Sequence, residues 1–143
     1  MNEIKKSIKK SKAKVVYISN LMTKIGQTRH RSLKDIVKII EEHIGRRLDY
    51  ILINNGRIPK EAYQRYIADG EHLIQNDLEE GNSRILVYQD LVANDDIKRE
   101  KGDILKRSLV RHDPQKLGRT LYHIFNEKLL NRFLRSIFSQ YVD

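Results

Sequence analysis

Lys14-Val-Val-Tyr-Ile-Ser-Asn20, then Leu21-Met-Thr-Lys-Ile-Gly-Gln-Thr28, then Arg29-His-Arg-Ser32 and the run Leu33 to Ile44 decide the fold. The first block is short, β-branched and aromatic, the composition of a buried strand. The last opens on Ser32 with Asp35 three residues on, an approximate capping box, and stops at Gly45, a residue type that ends helices. Within it Leu33, Ile36, Val37, Ile40 and Ile44 fall at helical spacing and make one apolar face. A polar loop carrying Asn20, Thr23, Gly26, Gln27 and Thr28 joins the two. In open α/β sheets ligands bind beyond the carboxyl ends of the strands, and the next helix offers free N–H groups to an anion. The functional reading therefore starts at this loop.

Working outward, residues 3–11 read as a short basic helix with Ile4 and Ile8 one turn apart. Downstream, Arg46-Arg-Leu-Asp49 leads into Tyr50-Ile-Leu-Ile-Asn54, a continuous apolar strand of the kind covered on both faces in parallel sheets. Two such strands joined by a helix make a right-handed βαβ unit. A polar turn, Asn54-Asn-Gly-Arg57, precedes Ile58-Pro59, and proline at a first helical turn predicts a helix from Pro59 to about Ala68, ending near Gly70. A short strand is expected at His72 to Gln75, a turn at Glu80-Gly-Asn82 and a strand at Arg84 to Tyr88. From Gln89 to Leu109 no period is evident, so this stretch reads as a loop with a short strand near Ile104. Asp113-Pro114 opens the last helix, in which Leu117, Leu121, Phe125, Leu129, Phe133 and Ile137 recur every four residues, flanked by Ile124, Leu130, Leu134 and Phe138. A helix apolar over so much of its circumference predicts deep burial against a second chain or a further domain, hence a homo-oligomer or a missing half.

The 143 residues fit one domain. Cysteine is absent, which excludes disulfides, cysteine-ligated metal and thiol chemistry. No run is long enough to span a membrane and the N-terminus has no apolar signal block, so a cytoplasmic location with no membrane partner is expected. The net charge of +9 gathers in Lys5, Lys6, Lys9, Lys10, Lys12 and Lys14 and in the last helix. It suits a phosphate-rich partner, while a solvated lysine-rich surface explains it as well. With no zinc-finger, helix-turn-helix or aromatic RNA-binding signature, the reading is against a nucleic acid.

Asn20-Leu-Met-Thr23 with Gly26 and Thr28, the strand ending Asp49-Tyr-Ile-Leu-Ile-Asn-Asn55, the Ile58-Pro59 helix start, Tyr66, and Val110-Arg-His-Asp-Pro114 together resemble the gluconeogenesis factor and 2-phospho-L-lactate transferase family. The similarity covers most of residues 3–121 and is to the C-terminal half of those proteins. It implies a Rossmann-like α/β fold, mainly parallel, over a single domain of residues 1–143, with a phosphorylated ligand near the strand ends. Of the two branches, the pattern looks closer to the nucleotide-sugar-binding regulator of carbon metabolism and cell-wall morphogenesis. The other branch moves a phospholactyl group from a nucleotide-activated donor to a deazaflavin acceptor. The family's glycine-rich nucleotide-binding segment has no counterpart here, so the chain reads as a fragment or a reduced homologue. Lys24 and Gln27 stand where the family commonly has glutamine and glutamate, and an amide in place of a carboxylate removes a general base from the loop.

Under that resemblance Thr23, Gly26 and Thr28 hold phosphate, Arg111 adds charge, Asn54 and Tyr66 contact the base or sugar, and Asn20, at a strand end like Asn54, hydrogen-bonds polar groups of the ligand. Each has a plain alternative. A strand-to-helix turn uses the same loop residues, Asn20 and Asn54 suit turn capping, Arg111 suits an ion pair and Tyr66 a half-buried helix position. His112 beside Asp113 invites a dyad, but Asp113 is better explained as an N-cap. His30, His43, His72 and His123 have no ligand spacing, so neither metal nor cofactor is expected, and no catalytic residue is assigned. The reading is a nucleotide-sugar or similar phosphorylated-metabolite binder that regulates. Its rivals are part of a phospholactyl-type transferase, whose catalytic groups lie elsewhere, and a non-catalytic assembly domain.

Overall fold

A computed structural model describes residues 2–79, 84–93 and 110–138, with side chains as far as Asn126. The elements run α1 (Asn2–Lys10), β1 (Val16–Ile18), α2 (Leu33–Ile44), β2 (Tyr50–Asn54), α3 (Lys60–Ala68), β3 (Ile85–Gln89) and α4 (Pro114–Phe138). The strands form one parallel sheet in the order β1-β2-β3. Val16 pairs with Tyr50, and Tyr50 in turn with Ile85. The fold is therefore α/β with a parallel sheet and flanking helices, as expected.

The pleat sends alternate side chains to opposite faces and so builds two cores. On one face Ile51 and Ile53 join Leu33 and Val37 of α2 and Leu48, with Tyr17 and Leu86 packed beside them. On the other, Tyr50 and Leu52 meet Ile124 of α4 and Leu91, with Val16, Ile18, Val87, Leu117 and Leu121 alongside. Burial of Ile51 and Leu52 is complete, and each contributes about 1.5–3 kcal/mol relative to an exposed side chain. A third cluster sits beyond the carboxyl ends of the strands, where Leu21, Met22, Val92 and Val110 gather with Ile58, Tyr63 and Tyr66. Helix α1 lies against α2, and the Lys5 ammonium donates to the Glu42 carbonyl at 2.6 Å, at the negative end of the α2 dipole.

The capping box at Ser32 and Asp35 is present, and Gly45 ends α2 in the left-handed region at φ 75°. Helix α3 starts one residue later than expected, with Pro59 itself at the N-cap. The expected strand His72–Gln75 is reduced to one antiparallel bridge, Met22 to Leu73. Gln75 instead gives its carbonyl to the Leu33 N–H at the start of α2, so the segment serves a helix rather than a sheet. The loop expected from Gln89 onward is also corrected at its start: Leu91 and Val92 are buried, and Val92 bridges to His112. Two apolar residues after an edge strand carry no period, so tertiary packing alone reveals them. The turn expected at residues 80–82 and the strand near residue 104 lie outside the described residues.

The wide apolar face expected of α4 is two faces over its described side chains. Leu117, Leu121 and Ile124 turn to the sheet, whereas Phe125 is exposed. A spacing of four drifts about 40° per step against a 3.6-residue turn, so a four-residue repeat leaves the sheet-facing line. Among the described residues no helix is long and apolar enough to cross a membrane.

Candidate functional site

A cleft of 370 Å³ opens at the carboxyl ends of β1 and β2. Asn20, Asn54, Asn55 and Asn76 line it with amides, Arg57 with a guanidinium, and Leu21, Ile53 and Tyr63 with apolar surface. The β2–α3 turn that forms one wall is tightly held. Asn54 Oδ1 accepts from the Gly56 N–H at 3.1 Å and the Leu91 N–H at 2.9 Å, while Nδ2 donates to the Gly56 carbonyl at 2.9 Å. One amide thus ties the exit of β2 to the exit of β3. A Cβ at position 56 would lie 1.9 Å from Asp90 Oδ1, so glycine there is what lets the Asp90 carboxylate stand against the turn.

The expected anion seat at α2 is already occupied by the protein. The Leu33 N–H donates to Gln75, the Lys34 N–H to Asp77 Oδ1 at 2.9 Å, the Asp35 N–H to Ser32 Oγ and the Ile36 N–H to the Ser32 carbonyl. The free N–H groups anticipated there are therefore filled, in the case of the Lys34 N–H by the Asp77 carboxylate from 43 residues downstream. Burial alone would raise the Asp77 carboxyl, but the Lys34 N–H, the Ser32 hydroxyl and the Lys34 charge outweigh it and hold the group below the ordinary aspartate value. Helix α3 is the contrasting case. Its Pro59 N-cap supplies no side-chain acceptor, and it begins directly after Arg57 and Ile58 on the cleft wall.

Of the residues singled out from sequence, the cleft brings Asn20 and Asn54 together. Thr23, Gly26, Thr28, Tyr66 and Arg111 do not line it. Thr23 is buried, its Oγ1 accepting from the His72 N–H at 2.8 Å and its N–H donating to the His72 carbonyl at 2.7 Å. Thr28 Oγ1 accepts from the Lys24 N–H at 2.9 Å, and Gly26 turns the loop at φ 77°. Tyr66 packs half-buried in the third cluster, with its Oη accepting from the Val110 N–H at 3.4 Å. Arg111 is exposed and makes no ion pair among the described residues, while its carbonyl accepts from Ala93.

His112 and Asp113 do not form a dyad. Asp113 Oδ1 caps α4 by accepting from the Gln115 and Lys116 N–H groups at 2.8 and 2.9 Å. The His112 ring is half-buried, and burial holds its pKa below the ordinary value against a hydrogen bond to the Ser19 carbonyl.

The family model of 2-phospho-L-lactate transferase CofD matches residues 1–93. The chain belongs to the CofD family. The gluconeogenesis factor of Listeria monocytogenes is 35% identical over 123 residues, covering 85% of this chain and 34% of that protein. That of Listeria innocua is 33% identical over 130 residues, covering 90% and 36%. A solved UPF0052-family protein from Bacillus halodurans superposes with a TM-score of 0.65 at 23% identity, over 82% of this chain and 35% of that one, which shows the shared fold. The chain spans between about a quarter and two fifths of the length of the curated relatives it matches.

In this CofD-family chain sequence reasoning missed Asn55, Arg57, Tyr63 and Asn76 as cleft residues. Arg57 had a readable signal, since a cation placed right after a strand's carboxyl end and before a helix start sits where anions bind. Asn76 had none, because only the tertiary path of the segment after α3 carries it to the cleft. Among the described residues no three histidine or acidic side chains converge on a point that could hold a metal ion.

Proposed function

We propose that the cleft at the ends of β1 and β2 binds a nucleotide-sugar or similar phosphorylated metabolite, and that the chain acts as a regulator of carbon metabolism or cell-wall morphogenesis rather than as a catalyst. The observation that carries this reading is the uncapped start of α3 beside Arg57, on the wall of a cleft otherwise lined by amides. Helix N–H groups and a guanidinium together receive phosphate. The amides of Asn20, Asn55 and Asn76 offer both donors and acceptors to base or sugar edges, and Tyr63 offers an apolar face. Kinship to proteins named gluconeogenesis factor supports the regulatory role. Among the described residues that line the cleft there is no histidine, aspartate or glutamate to serve as an acid or base.

Calorimetric titration with UDP-sugars tests the reading. Binding is expected, and Arg57→Ala weakens it by about 10- to 100-fold, the loss of one charge-assisted contact of about 1.5–3 kcal/mol. Arg111→Ala, at an exposed residue outside the cleft, tests whether the Arg-His-Asp-Pro motif reaches the ligand. Absence of heat with every nucleotide would refute the proposal. The name of the matched family model favours a second reading, part of a phospholactyl-type transferase acting on a deazaflavin acceptor. Turnover of a phospholactyl donor by the chain together with the remainder of a relative would establish it.

A further inference from the structure

Strand β3 is an edge of the sheet, and its outer side is open. The Ile85 N–H donates to the Asp49 carbonyl at 3.0 Å and the Gln89 carbonyl accepts from the Asn55 N–H at 3.1 Å. In a parallel ladder both backbone groups of one residue turn the same way, so Ile85, Val87 and Gln89 serve β2 while Leu86 and Tyr88 turn theirs outward. Among the described residues no backbone group pairs with those two. Sheet edges are ordinarily blunted by lysine, proline or a bulge. Ile85-Leu-Val-Tyr-Gln89 has neither charge nor proline, and its five-residue register with β2 is unbroken. Beside this edge runs a groove of 890 Å³ between β3 and α4. Ile85 and Val87, level with Tyr50 and Leu52, face α4 and make its floor. Lys116, Arg119 and His123, at steps of three and four along one helix face, make its wall. Lys116 is committed to Asp90 and to the Val92 carbonyl. Arg119 and His123 are exposed, and no acid pairs with either among the described residues.

We propose that the outer edge of β3 receives an extended acidic segment of another polypeptide as a fourth strand, with its acidic side chains against the α4 wall. The N–H and C=O groups of Leu86 and Tyr88 pair with the backbone of the incoming segment, and the groove selects its side chains. Alternate residues of a strand are about 6.7 Å apart, and Arg119 and His123, four residues apart on a helix, are about 6 Å apart along its axis. Acids at alternate positions therefore meet both cations at once. The residues between them point to the opposite face, beside Leu86 and Tyr88. Tyr88 is 42% exposed and gains cover there, so the intervening residues are apolar. The pattern recognised is acid and apolar in alternation. A second copy of the chain does not supply it, because β3 sets Ile85, Val87 and Gln89 on the α4 side, none of them an acid, and would bring a second Arg119 toward the first.

Fluorescence anisotropy of a labelled, end-capped heptapeptide in which glutamate and valine alternate tests this on the 143-residue chain. The anisotropy should rise saturably with added protein, and the same peptide with lysine for glutamate should not bind. Methylating the backbone nitrogens on alternate residues removes donors and keeps the charge, and it should weaken binding by about tenfold or more. Arg119→Glu, at an exposed position on the wall, should weaken binding by a similar factor with the far-UV dichroism unchanged. Tyr88→Pro should abolish binding, because it removes an outward donor and leaves the ladder to β2 in place. Should the proline variant fail to fold, the methylated peptide asks the same question of the unaltered protein. Equal binding of the methylated peptide would make the groove a seat for anions of any shape and overturn strand addition. Indifference to Arg119→Glu, or no binding of the acidic peptide at any attainable protein concentration, would overturn the proposal as well.

Discussion

Asp49 stands at the entrance to β2 and gathers three donors. The Lys14 ammonium pairs with Oδ1, while Oδ2 accepts from the Val15 N–H and the Arg46 guanidinium, both at 3.0 Å. Burial by itself would raise this carboxyl, but those partners outweigh it and hold it below the ordinary aspartate value. Since the unfolded chain takes up the proton first, the stabilisation is complete above the unfolded value near pH 4 and fades as pH falls through the folded one. Asp49→Asn is expected to cost about 2 kcal/mol at neutral pH, measured by urea unfolding, with the difference from wild type shrinking in acid. His112 acts in a higher window. Burial depresses its pKa, so the folded protein resists a proton that the unfolded chain accepts. Stability attributable to this ring is complete above the ordinary histidine value of about 6.5 and declines below it, and His112→Gln should flatten the unfolding profile between about pH 7.5 and 5.5.

At the scale of elements, α2 is the part most clearly written in the chain. Its boundaries, its capping box and its Gly45 end were all readable, because each depends on residues within a few positions of the helix. The contribution of Asp77 was not, because a carboxylate 43 residues from the Lys34 N–H it receives has no local signature. That distinction governs the site too. The parallel pairing of β1 and β2 follows from two apolar strands and the helix between them, so the rim was foreseeable. Which side chains reach the rim was less so, since Asn76 arrives by tertiary packing and the loop of Thr23 and Thr28 turns its hydroxyls inward onto its own neighbours. Ser32→Ala and Asp77→Ala should each lower stability by about 1 kcal/mol, the usual cost of a lost cap. If the N–H groups of α2 are as fully committed as they stand, Asp77→Ala will also give α2 an inorganic-phosphate affinity, by calorimetry, that the wild type lacks there.

At the scale of the molecule, the link between the cleft and α4 runs through one crowded contact. Gly56 on the cleft wall abuts Asp90, whose Oδ2 receives the Lys116 ammonium of α4 at 2.7 Å and whose Oδ1 accepts from the Val92 N–H at 3.2 Å. Lys116 also donates to the Val92 carbonyl at 2.8 Å, so the exit of β3 is fastened to the first turns of α4. The hydrogen bond from the Lys116 ammonium, helped by the Val92 N–H and the Lys116 charge, accordingly holds the Asp90 carboxyl below its ordinary value. A methyl at position 56 cannot coexist with Asp90 where it stands, at 1.9 Å from its Oδ1 and 2.5 Å from its Cγ. Gly56→Ala should therefore push the carboxylate away from Lys116 and cost about 1–3 kcal/mol, the range for forcing extra volume into a packed site. Asp90→Ala alone removes a half-exposed ion pair and should cost about 1 kcal/mol or less. In the double variant the clash has no object, so the two losses should fall short of additivity by about 1 kcal/mol or more in a denaturant double-mutant cycle. Additive losses would mean that the alanine at 56 is resisted by something other than Asp90, and the proposed fastening between cleft and helix would fail with it.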